Sequence, residues 1–289
     1  MKTKLFQAVI LGAAVIGLPA AAAPDFAVWL DGNTTPGGGG NHILSSLDNS
    51  FGPGDYTLVS TANLETPGFL NAFKTLIVSR FDAGFGTSLS ATAAANVQAY
   101  VGSGATQGGV AAFTNDVADN LFPGGPDPFD ANLNQLFVNA ATFARNSGHG
   151  YIGEFSGAIM AVTSNTAGFQ ALGLLAGTAS AIRGIGPQQF VYGVGPIGAG
   201  NPIDAGVTFP FTDSDTSTFL TDITGANPGN IVDIYTNAAA NGEPALLANQ
   251  VVIGTVPEPA SLSLLGVGLA GLAALRRRKA RPDEPIAAR

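Results

Sequence analysis

The stretch FAVWL at residues 26–30 and the stretch TLIVS at residues 75–79 decide the fold of this chain. Each is a short, nearly continuous run of apolar residues, which is typical of a strand buried on both faces of a sheet. Comparable runs occur at residues 56–60, 109–113 and 150–153. Since helical patterns separate most of these runs, the sequence predicts an α/β domain with a doubly wound, mainly parallel sheet.

The helical patterns between the runs have recognisable starts and buried faces. Ser90 is a good N-cap for a helix that ends at Val101, and Leu70 with Phe73 fits a brief helical turn. Two further helices are predicted, from Asn41, as the N-cap, to Leu47 and over residues 132–146. Residues 168–255 are less regular, with two further strands predicted at 231–235 and 250–253, and we assign them to the same domain.

Both ends of the chain carry targeting patterns. Lys2 and Lys4 precede an apolar run and an alanine-rich exit, so residues 1–23 are predicted to be a signal peptide cleaved by signal peptidase after export. A buried N-terminal helix is the alternative. At the other end, residues 260–275 form an apolar stretch of about 24 Å as a helix, short for a membrane core of about 30 Å. A short helix can still insert where the bilayer thins, and Arg276, Arg277, Arg278 and Lys279 would stay cytoplasmic.

The C-terminal pattern, Pro257-Glu258-Pro259 followed by the apolar stretch and the arginines, resembles the PEP-CTERM sorting signal of exported bacterial proteins. The resemblance covers residues 256–279 and implies recognition and cleavage by an exosortase in a Gram-negative bacterium. It also implies transient anchoring in the inner membrane, then release to the envelope, outer surface or an exopolysaccharide matrix. Residues 280–289 would be a cytoplasmic tail, longer than is usual for the family. A permanent membrane anchor is the alternative.

Removal of both signals leaves residues 24–255 as the exported domain, and its charge is strongly negative. The segment has four Lys and Arg against seventeen Asp and Glu, a net charge of −13. Such a surface excludes a nucleic-acid partner and repels anionic polymers unless divalent cations intervene. The chain contains no cysteine, which excludes disulfides, thiolate metal sites and a cysteine nucleophile.

The order of the strands and helices resembles the class I glutamine amidotransferase-like fold, particularly its ThuA-like branch, a flavodoxin-like arrangement. The resemblance spans residues 26–253, with Gly200-Asn201-Pro202-Ile203 at a family turn and Gly242-Glu243-Pro244-Ala245 at a family strand. The family places its nucleophilic cysteine at the position that Phe155 occupies here, and its histidine at the position of Asn201. Amidotransferase chemistry is therefore not expected.

Ser156 is the remaining candidate nucleophile, with Glu154 and His42 as its partners. Its surroundings do not match the G-x-S-x-G turn of serine hydrolases. His42 follows the first strand, at the carboxyl edge where such sheets bind ligands, whereas His149 precedes the fifth strand at the opposite edge. A loop histidine beside a helix-capping serine is the simpler interpretation.

Two acidic pairs could supply oxygen ligands to calcium, Asp213 with Asp215 and Asp127 with Asp130. Neither has the spacing of a calcium-binding loop, so solvated loop acids are the simpler interpretation. The glycine run at residues 37–40 lacks the phosphate-binding pattern and is interpreted as a surface loop.

Three functions follow as hypotheses. The first is a non-catalytic structural or binding protein of the envelope or matrix. The second is an envelope hydrolase that uses Ser156, and the third is an all-β adhesive domain, which would contain little helix.

Overall fold

The computed structural model describes one compact unit that ends at Asn249, and a second unit, residues 250–289, lies outside the described residues. The described residues are 23–31, 39–80, 89–115, 117–124, 129–154, 172–174, 177–178, 180–183, 190–194, 201–213, 218–221, 223–225, 230–236 and 244–249. They form a nine-stranded sheet in the order β2-β1-β3-β5-β4-β11-β10-β7-β8 and a two-stranded sheet of β6 and β9. The predicted signal peptide and sorting signal lie outside these ranges.

The first five strands are parallel to one another, as the sequence predicts. Their order is β2-β1-β3-β5-β4, and Val28 of β1 lies between Leu58 of β2 and Ile77 of β3 in register. The strands are β1 (Phe26–Asp31), β2 (Tyr56–Val59), β3 (Thr75–Arg80), β4 (Val110–Phe113) and β5 (Gly150–Glu154).

Helices connect these strands and cover both faces of the sheet, so the hypothesis of an all-β domain is wrong. They are α1 (Gly39–Phe51), α2 (Thr61–Glu65), α3 (Ala91–Val101) and α4 (Ala131–Ser147). Helices α1 and α4 contact each other on one face, and α2 contacts α3. Short 3-10 helices lie between these elements and in the last region: η1 (Phe69–Ala72), η2 (Gly104–Thr106), η3 (Ala118–Asn120) and η4 (Pro202–Asp204).

The local sequence pattern predicts the start of α3 correctly, whereas tertiary packing shifts the bounds of α1 from the predicted ones. Ser90 caps α3 as predicted, its Oγ accepting a hydrogen bond from the Ala93 amide at 3.2 Å. Asn41 is not a cap, because α1 begins at Gly39 and runs past the predicted end to Phe51. The extra length places the Phe51 ring 4.9 Å from that of Phe26, so burial of apolar surface extends the helix.

The other four strands of the large sheet pair antiparallel, which corrects the prediction of a mainly parallel sheet for this part of the chain. Strand β11 pairs antiparallel with both β4 and β10, and β7 pairs antiparallel with β10 and β8. The seven residues between β10 and β11 are too few for the crossover that a parallel pair needs. These strands are β7 (Phe190–Val194), β8 (Phe211–Asp213), β10 (Asn230–Thr236) and β11 (Pro244–Asn249), and the small sheet pairs β6 (Ser180–Arg183) with β9 (Thr218–Thr221).

The predicted strand at residues 231–235 is confirmed by β10, whereas residues 250–253 lie outside the described residues. The strand that follows β10 in the chain is β11, which begins at Pro244, within the segment that the resemblance places in a strand, and all six of its residues are buried. Strands of the last region, β7, β8, β10 and β11, belong to the same sheet as the first five strands.

The core lies on both faces of the parallel strands. On one face Ile43 of α1 and Phe137 of α4 meet Ile77 and Ile152 of the sheet. On the other face the Trp29 indole donates to the Thr61 hydroxyl of α2 at 3.2 Å. Because consecutive strand residues point to opposite faces, this two-sided burial explains the continuous apolar runs.

Ion pairs fix the amino ends of the first strands. Asp25, just before β1, accepts from Lys74 at 2.8 Å and from Arg145 at 2.7 Å. Arg145 also lies 3.7 Å from a carboxylate oxygen of Asp55 and 5.4 Å from the Phe51 ring centre. Two of the four cations of residues 24–255 are therefore engaged at this edge.

No helix among the described residues is long and apolar enough to cross a membrane, and residues 260–275 are not among them.

Candidate functional site

The carboxyl edge of the parallel strands is the natural place for a site in this topology. From β1 the chain goes to β2 on one side, and from β2 it returns to β3 on the other side of β1. Crevices at such points of reversal bind ligands in open α/β sheets. The ends of β3, β5 and β4 continue this edge.

His42 lies near the start of α1, which follows β1, and this places it toward the carboxyl edge as predicted. Its side chain is only 2% exposed and makes contacts within the fold. Helix α1 also packs against η3, which covers this part of the edge. A general base must reach its substrate, so a histidine this deeply buried fits a structural role more readily than a catalytic one.

Glu154 is the last residue of β5 and pairs in register with Phe113 of β4. Its backbone therefore reaches the carboxyl edge, as the sequence predicts. Its side chain, Phe155 and Ser156 lie outside what the structure describes. The structure thus brings His42 and the backbone of Glu154 to the same edge, and the proposed catalytic trio stays a prediction.

A buried polar network at the end of β4 was missed by the sequence analysis. Thr114 and Asn115 are both fully buried. The Thr114 hydroxyl lies 2.6 Å from the Pro244 carbonyl oxygen, to which it donates, and the Asn115 amide donates to the Tyr192 hydroxyl at 3.1 Å. The feature of the sequence that could have indicated this network is the Thr-Asn pair directly after the apolar run at residues 110–113.

This network joins β4 to β11 and to β7, and all its members are uncharged. Neutral hydroxyl and amide groups orient neighbouring strands but offer no acid, base or nucleophile of shifted pKa. The stacked rings of Tyr192 and Phe211, 4.7 Å apart, cover it on the side of β8. The arrangement therefore fits a rigid binding or structural edge.

His149 lies at the amino end of β5, at the edge opposite to Glu154, as predicted. Its backbone adopts a left-handed φ of 52°, and its ring lies 4.9 Å from the ring of Tyr100. It is exposed, and the length of β5 separates it from the carboxyl edge. His149 is thus not a partner for residues at that edge.

Each candidate calcium pair has one member among the described residues, Asp130 or Asp213, so both pairs stay predictions. Asp130 caps α4, its carboxylate accepting from the amides of Asn132 at 2.8 Å and Leu133 at 2.9 Å. Asp213 is 2% exposed at the end of β8 and has contacts within the fold, while Asp127 and Asp215 are not described. Within the described part of the chain, no three His, Asp or Glu side chains are grouped to hold a metal ion.

Asn201, at the position where the resemblance places a histidine, has a structural task here. Its side chain caps η4 by accepting from the Ile203 amide at 2.8 Å. Asn139 of α4 donates to the carbonyls of Ile203 at 2.6 Å and Ala205 at 2.8 Å, which holds the turn against α4. Both carboxyl oxygens of Asp204 are buried there, and burial raises the pKa of Asp204 to about 6.

The comparison with protein families gives a match at the C-terminal end of the chain. Residues 255–279 match the model of the PEP-CTERM protein-sorting motif. The chain carries a PEP-CTERM sorting signal. The match covers almost the same residues as the resemblance seen in the sequence, 256–279, and supports an exported protein that an exosortase sorts. No curated protein and no solved structure matches the chain significantly.

Proposed function

We propose that residues 24–255 are the working part of an exported, exosortase-sorted protein with a non-catalytic structural or binding role in the cell envelope or extracellular matrix. The PEP-CTERM motif at residues 255–279 is the observation that carries this proposal. In this proposal secretion machinery and signal peptidase act on residues 1–23, and residues 260–275 hold the chain in the inner membrane. The exosortase then acts near Pro257-Glu258-Pro259.

The absence of a nucleophile from the amidotransferase position supports the non-catalytic role. In the proposed amidotransferase-like alignment Phe155 takes the place of the cysteine, and a phenyl ring has no nucleophilic atom. Asn201 takes the place of the histidine and is engaged in capping η4. The scaffold would thus keep its ligand-binding edge without the acyl-transfer chemistry.

The negative charge of the domain restricts its partners. Lys74 and Arg145 are paired with Asp25, so neither adds free positive charge to the surface. Anionic polymers are repelled at short range by a domain of net charge −13. Neutral exopolysaccharide or envelope components are therefore better partners.

Replacement of Pro257-Glu258-Pro259 by three alanines tests the sorting part of the proposal. We expect the variant to accumulate uncleaved in the membrane fraction, whereas the wild type is processed and leaves it. Mass spectrometry of both proteins from the native host would report the two termini. A matched control replaces Pro282-Asp283-Glu284 by alanines, which changes three residues outside the motif. Identical processing of the motif variant and the wild type would overturn the proposal.

The competing function is an envelope hydrolase with Ser156, Glu154 and His42 at the carboxyl edge. The position of His42 near the start of α1 and of Glu154 at the end of β5 favours it. Ser156→Ala and His42→Gln should each abolish any hydrolytic activity of the purified protein. His149→Gln is the control, since that residue lies at the other edge. Activity that survives in both variants eliminates this mechanism.

A further inference from the structure

A cleft of about 270 Å³ opens on the layer formed by α2 and α3. One wall is the segment that follows α2 and includes η1, and the other is the second half of α3. Because η1 leads into the amino end of β3, this cleft lies away from the carboxyl edge and from His42. Its lining includes Thr66, Leu70, Asn71, Asn96, Ala99 and Tyr100.

Hydrogen bonds hold the two walls of the cleft together. The Asn96 amide of α3 donates to the Leu64 carbonyl of α2 at 2.9 Å. The Tyr100 hydroxyl donates to the Phe73 carbonyl at 3.3 Å, just beyond η1. Since both contacts link α3 to the opposite wall, the cleft is formed before any ligand binds, which lowers the entropy cost of binding.

The cleft presents hydrogen-bonding groups that the fold leaves available. The Asn71 side chain is exposed and makes no hydrogen bond to any described residue, so its amide offers two donors and one acceptor. Asn96 uses an amide hydrogen internally, and its carbonyl oxygen can still accept. Thr66 donates its hydroxyl hydrogen to the Ala62 carbonyl at 3.2 Å and keeps its lone pairs. Pro67 and Ala99, which are both exposed, add apolar surface between these groups.

None of the described residues that line the cleft carries a charged side chain. Burial raises the pKa of the Tyr100 phenol, which therefore stays protonated and neutral. Phosphate and carboxylate ligands would lack a cation here, and an ammonium ligand would lack a carboxylate. Tyr100 is 5% exposed, so it offers no open ring face on which a nucleobase could stack. The lining therefore selects a small neutral ligand with several hydroxyl groups.

We propose that this cleft binds a neutral sugar residue, either as a free monosaccharide or as one unit of a neutral polysaccharide. Sugar hydroxyls both donate and accept, as the Asn71 amide does, and the C–H surface of the ring would lie on Pro67 and Ala99. The volume suits one sugar ring, because pockets for drug-sized ligands begin near 300 Å³. The proposal deepens the binding role given above by naming its ligand class.

The test uses the protein purified from its native host and calorimetric titration with defined sugars. The probes are glucose, galactose, mannose, the neutral oligomers maltohexaose and cellohexaose, and the charged sugars glucuronate and glucosamine. We expect binding of at least one neutral probe and none of the charged ones. Binding of a hexose points to a free sugar, and binding only of an oligomer points to a polysaccharide unit.

Two variants connect the binding to this cleft. Asn71→Ala should weaken it about tenfold, the loss expected for one or two neutral hydrogen bonds. Ala99→Trp fills the cleft from an exposed position of α3 and should abolish binding. Asn49→Ala, an exposed asparagine of α1 on the other face, is the matched control and should bind as the wild type does.

Three outcomes would each overturn the proposal. In the first no neutral probe binds, in the second a charged probe binds better than the neutral ones, and in the third Ala99→Trp binds as the wild type does. Processing at Pro257-Glu258-Pro259 is measured independently. Normal processing without sugar binding would therefore contradict the cleft alone, and sugar binding without processing would contradict the sorting proposal alone.

Discussion

The parallel strands of residues 26–154 and the antiparallel strands of residues 190–249 belong to one sheet but are built differently. In the first region each strand is linked to the next through a helix, so the inner strands β1, β3, β5 and β4 need two apolar faces. In the second region the strands pair antiparallel with their neighbours, and the edge strand β8 alternates buried and exposed residues. Sequence periodicity therefore reports the first region well and the second poorly.

The two regions meet at β4 and β11, where only three residue pairs are in register. Side chains reinforce both ends of this short seam. Asn249 accepts from the Val110 amide at 2.7 Å and donates to the Gly108 carbonyl at 2.8 Å. At the other end Thr114 bonds to Pro244. The two regions are therefore joined by polar side chains at the strand ends as much as by backbone pairing.

The largest expected effect comes from Gly150→Ala, which breaks the parallel half. An added Cβ would overlap the carbonyl oxygen of Ala144, a backbone atom that cannot move without shifting α4. We expect a loss of about 3 kcal/mol or more in the free energy of unfolding, typical of severe overpacking. Urea denaturation would measure it. Gly193→Ala is the control, because an added Cβ there would meet no atom within 4 Å, and an equal loss in that variant would contradict the overpacking argument.

Asn249→Leu should have the next largest effect and acts on the seam. It leaves the Val110 amide and the Gly108 carbonyl buried without partners, at a cost of about 2–4 kcal/mol. Urea denaturation followed both by Trp29 fluorescence, in the parallel half, and by circular dichroism would show whether the halves now unfold separately. Asn146→Leu, an exposed asparagine at the end of α4, should change little. A neutral effect of Asn249→Leu would mean that the seam depends on backbone pairing alone.

Arg145→Met tests the amino edge of the parallel half. It removes the ion pairs to Asp25 and Asp55 and the contact with the Phe51 ring, and should cost about 1–2 kcal/mol. Lys74→Met should cost less, because the Lys74 side chain is 56% exposed against 32% for Arg145. Thermal denaturation at low and high salt would compare the two. A larger loss from Lys74→Met would reverse this ranking.

The smallest effect is expected from Asp204→Asn, which probes the segment that carries the antiparallel strands. Because the folded pKa of about 6 exceeds the ordinary value of 3.8, the folded state binds more protons between these values. The Asp204 carboxyl therefore makes its full contribution to the free energy of unfolding below about pH 3.8, where it is protonated in both states. This contribution is lost as the pH rises through 6 and the folded protein must bury the charged form. The amide variant should be more stable than the wild type by about 1 kcal/mol at pH 7, after allowance for solvent screening. The difference in stability between the variant and the wild type should shrink toward pH 4. Thermal denaturation at pH 7 and pH 4 would measure it, and the same difference at both pH values would contradict the role given to Asp204.

Much of the parallel half could be predicted because its signals are local. The cap at Ser90, the buried face of α4 and the apolar run of β3 each follow from short-range pattern. The end of α1 could not be predicted, because the contact between Phe51 and Phe26 is tertiary. Residues 244–249 contain a proline and an asparagine, and they form a buried strand only because β4 and β10 lie on either side.

The candidate site was predicted in part for the same reason. The order of strands and helices is enough to predict that His42 and Glu154 lie at the carboxyl edge of the parallel strands. The bonds of Thr114 and Asn115 depend on Pro244 and Tyr192, which are about 80 to 130 residues away in sequence. The cleft beside Asn71 likewise depends on how α2 and α3 pack, which no short motif records.

Phe26 and Asn249, the first and last residues of the large sheet in chain order, both lie at its amino edge, since β11 runs opposite to β4. Four strand spacings separate them, about 19 Å. A short linker could join them, so the domain is suited to circular permutation or to insertion as a cassette within a host protein. Either rearrangement would leave the carboxyl edge untouched.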